Sequence, residues 1–285
     1  MNAKVNIIGS YRAQLGETPV WCTQSQSLLW VDILAQRLLR YWPAQKGRLD
    51  IHPMPLFTSA VLLTTQKERF LTVSQSGIAL YDYDTQRFTP LCDYPSDAFG
   101  TRPNEAAIAP DGALWFSTMD PAAEKAIGGW YRFAVGNSAP QHLLGNQRVP
   151  NTLQWHNGHI WFADSLLNRF YCAQLVQSQL VTRAVHCVDG IPDGSALTGD
   201  GQLINARWGQ SRLVRYQLRE TQAQELDSLA LPVAQPSSCT FGGPDLSELY
   251  ITSARDGLSH PTETDGALLR ISTPLTGVPA GHFQL

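Results

Sequence analysis

The stretch GALWFST occupies residues 112–118. It leaves a glycine turn, passes a small residue, and continues through bulky apolar side chains into polar ones. The same texture returns as SLLWVDI around Leu29, ERFLTVS around Phe70, GHIWFAD around Ile160, GQLINAR around Leu203 and SELYITS around Leu249. The anchors at 29, 70, 114, 160, 203 and 249 lie 41 to 46 residues apart. A period in the forties is that of one four-stranded propeller blade. Asp111-Gly112, Asn157-Gly158 and Asp200-Gly201 precede three of the anchors, and such pairs favour hairpins because both residues tolerate positive φ. IALYDYDTQRF (78–88) and SRLVRYQL (211–218) alternate with period two, as half-buried strands do. No long stretch repeats apolar residues at helical spacing. A β-sandwich leaves six evenly spaced similar units unexplained. The expectation is an all-β, six-bladed β-propeller with four-stranded blades, residues 1–285 forming one domain. PAAEKAIGG (121–129) reads as a loop inserted in the third blade.

Composition agrees and excludes several classes. With 43% hydrophobic residues, 16% charged and eight Trp, the chain suits a compact β protein with buried aromatic surface. The net charge of −3, with acids and bases mixed, offers no nucleic-acid or anionic-membrane footprint. No run approaches the roughly 18 apolar residues that span a bilayer, and residues 1–10 do not read as a signal peptide. The five Cys show no CxxC or zinc spacing. They are expected as buried or semi-buried free thiols, and a cytoplasmic location follows as the expectation.

Polar residues fall at one address in the repeat. Glu17 lies 12 residues before Leu29, Asn104 10 before Leu114, Asn151 9 before Ile160, and Asp193 10 before Leu203. The first strand of each propeller blade lines the central channel, so these four side chains converge at its mouth. Each neighbours Pro or Gly, which stiffen or tighten the backbone. Any one of them alone is also an ordinary turn residue; the shared address is what points to a site. Two carboxylates and one or two amides make an all-oxygen donor set suited to a hard divalent cation, whereas zinc usually takes His or Cys.

At these residues the chain resembles the senescence marker protein, gluconolactonase and luciferin-regenerating enzyme family, the regucalcin-like lactonases. The blocks are LGETPVW (15–21), RPNEAAIAPDGALWFSTM (102–119), PNTLQW (150–155), GIPDG (190–194) and FGGPDLSELYITSARDG (241–257). The resemblance implies a six-bladed propeller with one divalent metal at the channel mouth, calcium first, with zinc, manganese or magnesium as alternatives. It implies Glu17, Asn151 and Asp193 as metal ligands, and Arg102 and Asn104 as substrate contacts with Glu105 beside them. The chain departs from the family where Thr152 follows Asn151 in place of Gly, where Ala106 replaces Gly, and where Asp120-Pro121-Ala122 stand in place of an acid after Met119. The expected activity is hydrolysis of a sugar-acid lactone, with the cation as Lewis acid and Asp193 as general base. The alternatives are a calcium-binding regulatory propeller and a metal-dependent hydrolase of other esters or organophosphates. The expected partner is a small sugar lactone, with no nucleic acid and no membrane, on a monomer or weak dimer.

Four other candidates receive plainer readings. His156 and His159 flank a hairpin turn and need not converge. Asp164-Ser165 lacks a nucleophile elbow and reads as a strand cap. Trp208 is either pocket wall or core, and Arg255-Asp256 reads as a surface salt bridge.

Overall fold

The computed structural model describes residues 4–285. Six four-stranded antiparallel sheets follow one another along the chain. Their first strands are Gly16–Cys22, Ala60–Leu63, Arg102–Ile108, Pro150–His156, Ile191–Leu197 and Gln235–Gly242. These six pack side by side in a closed cycle, each touching the first strands of the two neighbouring blades. The expected six-bladed β-propeller is therefore the observed architecture. Among the described residues there is no α-helix, only one 3-10 turn at Ser165–Leu167.

The sequence repeat maps onto one strand per blade. Leu29, Phe70, Leu114, Ile160, Leu203 and Leu249 all sit on second strands, and all are buried between blades. That shared environment is why the same residue type recurs: each buried apolar side chain contributes about 1.5–3 kcal/mol. Trp130 and Trp161 fill the spaces between adjacent blades. Of the turn pairs, Asn157-Gly158 takes positive φ at both residues, while Asp111-Gly112 and Asp200-Gly201 take it at the glycine alone.

Two features close the ring. The strand Val5–Ile8 pairs with Leu268–Ser272 as the outer edge of the last blade, from Val5 opposite Ile271 to Ile8 opposite Leu268. At the end where the first strands finish, the C-terminal segment crosses the channel. Val278 N donates to Leu197 O at 3.0 Å, Phe283 N to Leu63 O at 2.9 Å, and Gln284 N to Gly112 O at 3.3 Å. Phe283 is fully buried and stacks on Phe133 with centroids 6.2 Å apart.

Two expectations need correction. The third-blade loop is shorter than 121–129, because Gly128 and Gly129 already pair in the strand Gly128–Phe133. Asp120 folds that loop by accepting from Glu124 N at 3.0 Å and Lys125 N at 2.9 Å. All five cysteines are free, but Cys187 is exposed on an outer strand rather than buried.

Candidate metal and substrate site at the channel mouth

The site is built on a recurring defect in the sheets. In five of the six first strands, pairing with the second strand slips near the chain's entry end: between Glu17 and Val20, Pro103 and Ala106, Asn151 and Gln154, Pro192 and Ser195, and Pro236 and Ser238. The second blade's short strand, Ala60–Leu63, pairs without a slip and carries no polar residue. A bulge re-aims side chains and bends the strand that holds it. Glu17 and Asn151 stand at the start of their bulges, and Asn104, Glu105 and Asp193 lie within theirs. Thr18 and Thr152, next after Glu17 and Asn151, take φ of 45° and 49°. A β-branched residue rarely enters the left-handed region, and that conformation costs about 1–2 kcal/mol.

Side chains latch neighbouring blades at this end. Thr18 Oγ1 donates to Ser59 O of the second blade at 2.8 Å. Thr152 Oγ1 donates to Asp193 O of the fifth blade, and Ser237 Oγ to Gly16 O of the first. A longer chain crosses from the third blade to the fifth. Arg102 Nη1 donates to Asn104 Oδ1 at 3.0 Å. Asn104 Nδ2 donates to Asn151 Oδ1 and to Pro150 O, each at 3.1 Å. Asn151 Nδ2 donates to Ser165 Oγ at 2.9 Å, and Ser165 Oγ to Pro192 O at 2.6 Å. The amide of Asn151 is thus fixed with its oxygen toward Asn104, and both donors of Asn104 are engaged within the protein.

Charge is concentrated in the same place. Burial, then the charge of Glu105, raises Glu17 to about 8, with Thr18 N and Arg102 acting against the rise. Burial, then Glu17 and Glu105, raises Asp193 well above the usual carboxylate range. Glu105 is raised to about 7 by burial, tempered by backbone N–H donors from Ala106 and Thr152. The Arg102 guanidinium is lowered by burial while Glu17, Tyr94, Asp256 and Asp193 support its charge. Glu17, Arg102, Glu105 and Asp193, from the first, third and fifth blades, therefore act on one another electrostatically.

The donor chemistry fits a hard cation. Burial opposes the charge of both Glu17 and Asp193, Glu17 also repels Asp193, and the fixed amide of Asn151 is one residue from the Thr152 that bonds Asp193 O; a divalent ion relieves such repulsion. Among the described residues no group of three or more His, Cys, Asp or Glu is arranged to hold a metal; the candidate set differs in having an amide as its third donor. Below the cluster a cavity of about 530 Å³ occupies the channel. Thr18, Glu105 and Ser195 form its upper wall, and the C-terminal segment from Val278 to Gln284 borders it. Glu105 thus faces the channel while Arg102 and Asn104 do not line that cavity.

Residues 15–255 match the model of the SMP-30/Gluconolactonase/LRE-like region. The chain belongs to this family. It is 30% identical to an L-arabinolactonase of Azospirillum brasilense over 98% of this chain and 95% of that one. It is also 30% identical to a 6-deoxy-6-sulfogluconolactonase of Pseudomonas putida, over 91% of this chain and 90% of that one. Among solved structures, a calcium-binding protein, regucalcin, from Agrobacterium tumefaciens superposes with a TM-score of 0.88 at 28% identity, covering 98% of this chain and 97% of that one.

The other sequence candidates resolve individually. Asp164 accepts from Arg148 N at 2.8 Å and Val149 N at 3.2 Å, a cap like that of Asp32 on Gln14 N and Leu15 N in the first blade. His159 Nδ1 lies 3.1 Å from Asn157 O, within its own turn. Trp208 packs half-buried against a hydrophobic cluster. The salt bridge expected between Arg255 and Asp256 is not among the ion pairs of the described residues. Arg255 instead donates to Thr262 O at 3.4 Å, while Asp256 supports the charge of Arg102. Sequence reasoning missed Ser165 as a support for Asn151, and missed Asn205 and Arg207 behind Asp193. The only signal of Asn205 and Arg207 was polarity in an otherwise apolar second strand, and Ser165, in the 3-10 turn after its strand, gave none.

Proposed function

We propose that the protein is a metal-dependent lactonase that opens the cyclic ester of a sugar acid. The observation that supports this most is the meeting of Glu17, Arg102 and Asp193 in one electrostatic group beside the fixed amide of Asn151. The named lactonases among its relatives supply the reaction class. In this reading Glu17, Asn151 and Asp193 would hold one divalent ion, calcium first and zinc, manganese or magnesium as alternatives, which would supply Lewis-acid polarisation of the lactone carbonyl.

The chain's own groups do the rest. Asp193 accepts a proton from the attacking water. The water oxygen bonds to the carbonyl carbon, the ring C–O bond breaks, and Asp193 returns the proton to the departing ring oxygen. Arg102 keeps its charge through the cycle and steadies the negative charge on the carbonyl oxygen. Asn104 has a remaining lone pair on Oδ1 that accepts from a substrate hydroxyl. Glu105 sits beside the substrate contacts and buttresses Thr152 from the channel side. The chain, residues 1–285, is taken as one cytoplasmic domain acting as a monomer or weak dimer.

The test is a pH-indicator assay over a panel of aldonolactones, run on protein treated with EDTA and then with each divalent ion. Turnover that vanishes with EDTA and returns with a cation is expected. Equal turnover before and after chelation sinks the reading. A second reading, a calcium-binding regulatory propeller, is favoured by the likeness to the Agrobacterium calcium-binding protein. It predicts calcium binding with no hydrolysis of any lactone in the panel.

A further inference from the structure

Thr152 occupies the position after a proposed metal ligand, at φ 49°, in the left-handed region that β-branched residues rarely enter. A glycine suits that backbone without strain, so the threonine needs a reason. Its contacts supply one. The backbone N–H of Thr152 favours the charged form of the Glu105 carboxylate of the third blade. Thr152 Oγ1 donates to Asp193 O of the fifth blade and lies 2.8 Å from Ser195 Oγ. The residue itself is wholly buried.

Behind it stands a second buried amide. Asn205 Nδ2 lies 2.9 Å from Thr152 Oγ1, 2.7 Å from Asp193 O and 2.8 Å from Ser195 Oγ. Asn205 Oδ1 accepts from Arg207 Nη1, and Arg207 Nη2 donates to Tyr216 OH. Tyr216 OH in turn donates to Glu225 Oε2 at 3.1 Å. Arg207 is fully buried, with its guanidinium 5.4 Å from the ring centres of both Phe170 and Tyr216. A buried guanidinium is costly unless held, so the chain fixes Asn205, and Asn205 fixes the bulge carrying Asp193.

We propose that Thr152, backed by Asn205 and Arg207, is a positioning residue that sets the spacing between Asn151 and Asp193. It ties the backbone beside one donor to the main-chain carbonyl of the other, across a blade boundary that has no backbone ladder between the two strands. A glycine would keep the N–H contact to Glu105 and lose the tie to Asp193. The inference rests on the reading of Asn151 and Asp193 as ligands of one cation. Supporting partners of ligands typically change metal affinity 10–100-fold when removed.

The experiment is calcium titration calorimetry on EDTA-stripped, full-length protein, with thermal melting and lactone turnover alongside. Thr152→Ser retains the hydroxyl and is expected to bind calcium within about threefold of wild type. Thr152→Gly and Thr152→Val lose the hydroxyl and are expected to bind about 10–100-fold more weakly. Asn205→Val combined with Thr152→Val should cost less than the product of the two separate losses, because they share one network. If the valine variant does not fold, the glycine variant decides, since its backbone is unstrained. Glycine binding calcium as tightly as wild type, with only its melting temperature altered, overturns the positioning role. Wild-type protein that binds no divalent ion overturns the ligand reading itself, and the positioning role falls with it. Wild type that binds calcium but hydrolyses no lactone removes the lactonase reading while the affinity series still judges Thr152.

Discussion

Chelated protein should lose stability as pH rises through neutrality, and a divalent cation should reverse the trend. Glu17 ionises near 8 against an ordinary 4.5, because burial and then Glu105 oppose its charge. A carboxyl raised in this way binds its proton more tightly folded than unfolded. Its contribution is therefore fully present at pH below the unfolded value and is lost as pH climbs through the folded one. Ionising it across the interval from 4.5 to about 8, at about 1.4 kcal/mol per pH unit, bounds the loss at about 5 kcal/mol. Glu17 keeps partial solvent contact, so about 2–3 kcal/mol is the expected share. For a chain of this size about 1 kcal/mol moves Tm by roughly 2 °C, giving a fall of about 4–6 °C between about pH 5 and 8. The neutral forms of His52 and His156 are favoured by burial, and their contribution runs the other way, rising with pH. Both are unchanged in Glu17→Gln, so the wild-type minus variant difference isolates Glu17 together with its effect on Asp193. The assay is scanning fluorimetry in EDTA across that range, repeated with calcium. A difference curve that is flat, or that rises with pH, refutes the argument.

Three further outcomes are expected. Asp193→Asn should keep Tm within a few degrees, because the Asp193 carbonyl and not its carboxylate carries the bonds to Thr152 and Asn205. Its kcat should fall by about 10²–10⁴-fold in the indicator assay. Arg102→Lys should weaken catalysis without unfolding the chain, since a more flexible ammonium does not hold its charge where Arg102 Nη1 donates to both Pro103 O and Asn104 Oδ1; comparing kcat/KM of the two proteins checks this. Phe283→Ala should cost about 3–5 kcal/mol, seen as a lower melting temperature, while kcat stays the same because Phe283 lies at the far end of the channel.

The fold was legible because its units repeat. Each blade buries its second strand in the same environment, so Leu29, Leu114 and Leu203 meet the same selection for a large apolar side chain. The hairpin pairs were legible because positive φ leaves few residue choices. The closing strand was not, since the partner of Val5 is Ile271, at the other end of the chain, and four residues carry no pattern of their own. The exposure of Cys187 was equally hidden, because an outer strand alternates between a covered and an open face while thiols usually lie inside.

The site was legible to the depth of its address and no further. Counting back from each anchor located Glu17, Asn104, Asn151 and Asp193 because blades are built alike. What holds them was invisible for a physical reason. In the first and fourth blades the bulge falls on a threonine, and threonine ordinarily signals a regular strand. Nothing local says that Thr18 and Thr152 leave it for the left-handed region. Nor does a lone arginine in an apolar strand announce burial, since arginine is mostly a surface residue; Arg207 is buried only because Asn205, Tyr216 and two aromatic rings receive it. Asn205, Arg207 and Tyr216 belong to the fifth blade and Phe170 to the fourth, so this support needs two consecutive blades, whereas the latch beside Glu17 needs the ring to close. The closing strand Val5–Ile8 and the latches from Ser237 to Gly16 and from Thr152 to Asp193 are all contacts between separate parts of the chain. Loosening the ring at its seam should therefore disturb the donors before it unfolds the blades.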